Sequence, residues 1–320
     1  MISKNYKQYI FELYKDILIN KEENYVYKSC YSKWIIIFEK LPDTLTNETR
    51  HGIYDKDFAS YRANKLQVKL IIDKFDIKNT ISTITNSTYK ASTVNYQVDT
   101  CITIPNYNTD IEEVNTFGIH YFTNIIVAYY YDLKNIMQEG KYYEWWKNGN
   151  KKYECTIVNN KENGIYIQWF DNGKIWFLGN KLNGNNDGKL IEWNKNCIII
   201  YEYNYSNMQK NGTCCRYYED GYILSKCNYK NDKYDGLVES YYDNCVKNKS
   251  EEYQQGQKHG SVKSWFYNGA IQTEENWIFG KRDGICNIYN VDGTIMHTSI
   301  WKDGITDTDS KQFYMCDYDD

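Results

Sequence analysis

The sequence predicts a small α+β N-terminal domain followed by an all-β repeat domain, an elongated single-layer antiparallel β-meander of about seven 24-residue hairpins. Three columns in register carry that prediction. Glycines stand at Gly140, Gly164, Gly188, Gly212, Gly236, Gly260 and Gly284, each 24 residues after the last. Five residues after each comes an aromatic: Trp145, Trp169, Trp193, Tyr217, Tyr241, Trp265 and Tyr289. Eight residues after comes Asn or Asp, followed in five of the seven units by Gly, as in Asn148-Gly149 and Asp220-Gly221. A fixed period of this length marks a repeat architecture.

The local chemistry says what each unit is. Asn-Gly between two extended runs predicts a type I′ turn, with positive φ at both central residues. The flanks are rich in Tyr, Trp, Ile and Val, which favour strands. Cys197 and Cys245 replace the turn glycine in two units. A different turn or a longer loop is expected there, because a non-glycine residue at positive φ is disfavoured. The links to the next unit are short and polar, whereas a parallel crossover needs about a dozen residues. The strands must therefore run antiparallel. Seventeen residues after the lead glycine a second aromatic recurs in five units: Tyr205, Tyr229, Tyr253, Trp277 and Trp301. Rings at equal offsets fall into rows across the sheet, where cross-strand pairs contribute roughly 0.2–1 kcal/mol each. The column at position 5 is assigned to packing. The next column is looser, with Asn194 and Asn290 among its members, and its aromatics Trp146, Phe170, Tyr218, Tyr242 and Phe266 are the expected partner-binding face.

The pattern in "GIYIQWFDNGK", Gly164 to Lys174, resembles the MORN repeat variant. The likeness spans about Gly140 to Gly304. It implies an elongated, twisted, single-layer antiparallel sheet that serves as a scaffold or binding surface. Some MORN proteins have been linked to phosphoinositide membranes, but here Lys and Arg are balanced by Asp and Glu, which disfavours anionic lipid.

Residues 1–135 lack the repeat columns and form the expected α+β domain, with 136–306 as the repeat domain. The end, residues 307–320, is an acidic tail expected to be solvated and poorly ordered. Apolar spacing from Ile2 to Leu18 predicts a helix. Strands are expected over 25–41, 65–75, 93–104 and 118–122, and a short helix within 76–87. Thr123 is the expected cap of a further helix over 124–135. "YRANKLQVKLIID" (Tyr61 to Asp73), with "GIHYF" and "VAYYY", is similar to an uncharacterised domain of giant-virus proteins of the mimivirus type, a resemblance that brings no known activity. "GIHYFTNIIVAYYY" also resembles the strand–turn–helix of ADP-ribosyltransferases. That likeness implies Tyr131 stacked on nicotinamide and Arg62 or His120 in contact with NAD. Ala128 stands where that family commonly has Ser, and no catalytic Glu can be placed.

Composition sets outer bounds. The 320 residues carry a net charge of −4 with a pI near 5.7. No basic run is present, which argues against nucleic acid. The longest apolar run is "WIIIF", Trp34 to Phe38. It is far short of the roughly 20 residues a membrane-spanning helix needs. With no secretory leader at Met1, a soluble intracellular protein is expected. The ten cysteines form no CxxC pair and the four histidines no ligand spacing, so no metal is expected and the thiols are read as reduced. No phosphate loop, HExxH or GxSxG occurs. The expected role is a non-enzymatic scaffold without a cofactor, binding a host or viral protein. The alternative is an NAD-binding enzyme in residues 1–135 targeted by the repeats.

Overall fold

The computed structural model describes residues 24–87 and 93–306. The expected helix over Ile2 to Leu18 and the acidic tail lie outside the described residues. The chain forms two compact units, Met1–Asn185 and Asn186–Asp320.

The first unit is built on a six-stranded antiparallel sheet. Its strands are β1 (Tyr25–Cys30), β2 (Trp34–Glu39), β3 (Ser60–Ala63), β4 (Lys65–Asp73), β7 (Cys101–Thr103) and β8 (Ile119–Phe122), in the order β3-β8-β1-β2-β4-β7. A separate hairpin joins β5 (Thr83–Ser87) to β6 (Thr93–Gln97). Both faces of the sheet are covered. Val26, Ile36, Phe38, Val68 and Ile71 pack on one side with Tyr96 of β6. Tyr27, Ile35, Ile37 and Ile72 pack on the other with Ile125, Ala128 and Tyr129 of helix α1 (Ile125–Tyr130). Burial on both faces explains why β2 reads as an unbroken apolar run rather than an alternating one.

The same second core takes in Tyr142, Tyr153, Cys155, Ile157 and Tyr166. These belong to the first two repeat hairpins, β9 (Gly140–Trp145), β10 (Lys151–Val158), β11 (Lys161–Trp169) and β12 (Ile175–Leu182). The repeat strands thus begin at Gly140, as the glycine column predicts, and their first two units are packed into the N-terminal core.

Several local expectations change. The stretch 25–41 is a hairpin and not one strand, turning at Tyr31 and Ser32, whose φ values are 51° and 56°. No glycine marks that turn. Within 76–87 there is β5 in place of a helix, as the β-branched Thr83, Ile84 and Thr85 favour. The expected strand over 93–104 breaks at Asp99, which takes φ 64°. Asn124, one residue after Thr123, caps α1: its side chain accepts from the Ile126 amide at 2.9 Å. With one six-residue helix among the described residues, this part is nearly all strand rather than α+β.

The second unit is a meander of repeat hairpins. Gly188–Trp193 pairs with Ile199–Ser206, and the pattern recurs through Gly284–Tyr289 with Ile295–Lys302. Every such pair carries a bulge before the position-5 aromatic: Glu192 faces Tyr201, but Trp193 faces Ile199. The extra residue sits beside the tight turn, where bulges concentrate twist.

Candidate functional site

Two kinds of turn build each repeat, and the type I′ turn is not the one eight and nine residues after the lead glycine. In the first unit the Gly149 amide donates to the Trp146 carbonyl at 2.9 Å, and the Trp146 amide to the Asn150 carbonyl at 2.8 Å. Gly149 has φ 93°, while Asn148 keeps negative φ. This is a type I turn closed by a glycine bulge. The Asn supplies something other than positive φ: Asn148 Oδ1 accepts from the Asn150 amide at 3.1 Å. The equivalent bond recurs at Asn172, Asp220, Asn244, Asn268 and Asp292. The type I′ turns lie at the other end of the hairpins, at Asn159-Asn160, Asn183-Gly184, Asn207-Met208, Asn231-Asp232, Gln255-Gly256, Phe279-Gly280 and Asp303-Gly304, all with positive φ at both residues.

Cys197 and Cys245 do not change the turn. They take φ 66° and 64° and donate to the Asn194 and Tyr242 carbonyls at 3.0 Å, as glycine does elsewhere. The surrounding hairpin imposes the conformation on them.

The units are joined rung to rung by the residues at positions 6 and 8. Trp146 Nε1 donates to the Trp169 carbonyl at 2.9 Å. Tyr218 and Tyr242 hydroxyls donate to the Tyr241 and Trp265 carbonyls at 2.8 and 2.9 Å. Phe170 and Phe266 hold the same half-buried place without a polar end. The Asn148 amide donates across to the Asp171 carbonyl at 2.7 Å, and Asn244 to the Tyr267 carbonyl at 2.9 Å. Beside these residues lie exposed rings. Tyr222 and Tyr267 are each 55% exposed. Tyr267 packs on Tyr242 at 5.2 Å, and Trp176 stacks on Phe170 at 5.6 Å.

The two sheet faces differ in chemistry. The most buried residue of the lead strand is two after the glycine: Tyr142, Tyr166, Leu190, Cys214, Val262 and Cys286. This column mixes aromatic, aliphatic and thiol side chains, so its common property is burial and not residue type. On that face of the second unit the rings at positions 15 and 17 interleave with cations. Lys210 lies 5.0 Å over Tyr203 and 5.3 Å over Tyr229. Lys258 lies 5.0 Å over Trp277. Arg282 lies 5.4 Å over Trp277 and 5.0 Å over Trp301, and forks onto Glu275. Each such contact is worth about 0.5–1 kcal/mol when exposed. On the other face two position-5 tyrosines bind acids of the preceding unit: Tyr217 donates to Glu202 at 2.9 Å and Tyr289 to Glu274 at 2.8 Å.

The residues singled out for NAD do not act together. Arg62 is fully buried, and its guanidinium donates to the carbonyls of Glu113, Asn108 and Asp110 while stacking on Tyr107. It is engaged in holding the 108–117 loop. His120 and Tyr131 do share an open cleft of about 790 Å³ in the first unit, which Trp145 and Trp146 also line. His120 Nε2 lies 3.0 Å from the Val114 carbonyl, and burial, ahead of neighbouring positive charge, holds its pKa below the usual imidazole value. Among the described residues no group of three or more His, Cys, Asp or Glu could hold a metal ion, and no helix is long and apolar enough to cross a membrane. The nine described cysteines are free thiols.

No curated protein matches the chain. The family model described as MORN repeat variant matches residues 138–159 and 210–231. The two matches start 72 residues apart, three periods of 24, and each runs from two residues before a lead glycine through both strands of its hairpin. These two hairpins are thus similar to the MORN repeat variant, and MORN repeats are in general scaffolds for protein or membrane interaction.

Proposed function

We propose that the protein is a non-enzymatic repeat scaffold that binds a partner protein along the turn edge of its hairpins. The observation that carries this reading is the pairing of half-buried rings with exposed ones there. Tyr218 and Tyr242 are fixed by hydroxyl bonds to the next rung, and Tyr222 and Tyr267 stand beside them more than half exposed. Rigid, amphipathic rings of this kind are the side chains that dominate protein interfaces. The position-6 residues Trp146, Phe170, Tyr218, Tyr242 and Phe266 serve as the buttress, and their exposed neighbours make contact. The resemblance of 61–73, 118–122 and 127–131 to a giant-virus domain supports a viral or host partner. Balanced charge on the repeats supports protein over anionic lipid.

The test is capture by the full-length protein against a Tyr222→Ala, Tyr267→Ala variant. Both rings are surface residues, so the variant is expected to fold. Loss of the captured partner with an unchanged melting temperature supports the reading. Undiminished capture sinks it, as does capture of anionic vesicles in place of protein.

A further inference from the structure

The cleft of the first unit has a chemistry that the scaffold reading does not use. Its volume, about 790 Å³, falls in the range of small-molecule sites, roughly 300–1,000 Å³. Trp145, Trp146, Tyr130 and Tyr143 line its repeat side and helix side. These rings are held in place by their neighbours. Trp145 stacks on Phe58 at 5.1 Å with 24° between planes, Tyr143 meets Tyr130 edge-on at 5.3 Å, and Trp146 is pinned by its bond to the Trp169 carbonyl.

The sheet side is positive. Lys28 and Lys147 both line the cleft with His120 between them in effect, since both charges act on the imidazole. Lys28 donates to the His120 carbonyl at 3.3 Å, and Lys147 reaches Asn115. Among the described residues neither amine is paired with a carboxylate. In a chain of net charge −4, two amines gathered without a counter-ion is an unbalanced arrangement. Its cost is visible: burial pulls the Lys28 pKa down to about 8, and burial with Arg50 behind it lowers Lys147. The acids that do line the cleft are engaged elsewhere or lie across it. Glu144 takes Lys152 at 3.0 Å and the Tyr142 hydroxyl at 2.9 Å, and Asp132 acts on Lys74.

We infer that this cleft binds a small anion that carries a planar ring, of the size and chemistry of a mononucleotide. The anionic group would sit against Lys28 and Lys147, and the ring against the tryptophan wall. Flat rings are stabilised on such walls by about 1–3 kcal/mol each. Lysine amines bind phosphate as point charges. The inference does not depend on the partner proposed above, and the Tyr222 and Tyr267 substitutions leave it untouched.

The test uses the full-length protein and its tryptophan fluorescence, with AMP and UMP as probes and adenosine and inorganic phosphate as the separated halves. Saturable quenching by AMP or UMP is expected, with adenosine and phosphate each weaker by at least about tenfold. Lys28→Met and Lys147→Met should each weaken the nucleotide by about tenfold. Affinity in the unaltered protein should fall as salt rises. Failure of both nucleotides to bind saturably overturns the inference. So does equal binding of adenosine, or an affinity in the unaltered protein that ignores salt. Should a lysine variant fail to fold, the comparison of AMP with adenosine and the salt dependence decide the matter on the unaltered chain.

Discussion

The amide of Cys245 donates to the carbonyl of Tyr242 at 3.0 Å, and Gly269 makes the equivalent bond to Phe266 at 2.9 Å. One turn geometry is thus held by a residue suited to it and by one that is not. A side chain in the left-handed region costs roughly 1–2 kcal/mol, of which glycine's greater unfolded-state entropy offsets about 0.5–1. Cys245→Gly should therefore stabilise the protein by about 0.5–1 kcal/mol, raising the urea midpoint. The same change at Cys215, in a strand, should lower it by about as much. If both shift in the same direction, the left-handed strain at Cys245 is not the operative term.

Gly149 tests the docking of the N-terminal part on the first repeat. Its turn receives the Tyr54 amide at the Asn148 carbonyl, 2.9 Å. A Cβ on Gly149 would fall 2.0 Å from the Asp55 carbonyl oxygen, whereas one on Gly269 would meet only Val246 Cγ1 at 3.7 Å. Both glycines have positive φ, 93° and 88°. Gly269→Ala should cost about 1 kcal/mol for conformation alone. Gly149→Ala should cost about 1–3 kcal/mol more, because a backbone must move. Chemical melts of the two variants give the difference directly.

These two glycines also show what could be read from the sequence. The period, the strand positions and the glycine requirement were visible, because each depends on local backbone chemistry repeated in register. The turn type was not. Asn-Gly fits both a type I′ turn and a type I turn with a glycine bulge, and the choice between them depends on one extra residue in the return strand. The column 22 residues after the lead glycine was hidden because its members, Lys210, Tyr234, Lys258 and Arg282, mix a ring with cations. Its unity comes from lying between the rings of adjacent rungs. The cleft was hidden for a plainer reason: Lys28, His120 and Trp146 are brought together by tertiary packing over a separation of 118 residues from first to last (146 − 28).

Asn244 separates the two jobs of the turn asparagine. Its Oδ1 accepts from the Val246 amide at 3.0 Å, and its Nδ2 donates to the Tyr267 carbonyl at 2.9 Å. Aspartate can do the first and not the second. Asn244→Asp should lose about 1 kcal/mol by removing the link between rungs. Asn268 accepts from the Ala270 amide at 3.0 Å and makes no such onward link. Asn268→Asp should therefore shift stability by no more than about 0.5 kcal/mol. Equal losses at the two sites would show that the onward link contributes nothing.

Lys74 predicts a pH dependence. It is fully buried, and its amine donates to Ser29 Oγ and to the Tyr131 carbonyl, each at 2.7 Å. Burial lowers its pKa to about 7, against 10.5 for the free side chain. Between those values the folded chain holds the amine neutral while the unfolded chain binds a proton there. The unfolded state thus carries more protons, and stability rises with pH across this window. Below about pH 7 both states are protonated, and the folded state bears the full cost of a buried charge. Lys74→Met removes the titrating group but keeps much of the volume. The stability of the unaltered protein, relative to this variant, should climb from about pH 7 toward pH 10. Urea melts at three or four pH values would show it. A stability difference that stays flat over that range would mean that Lys74 remains charged in the fold.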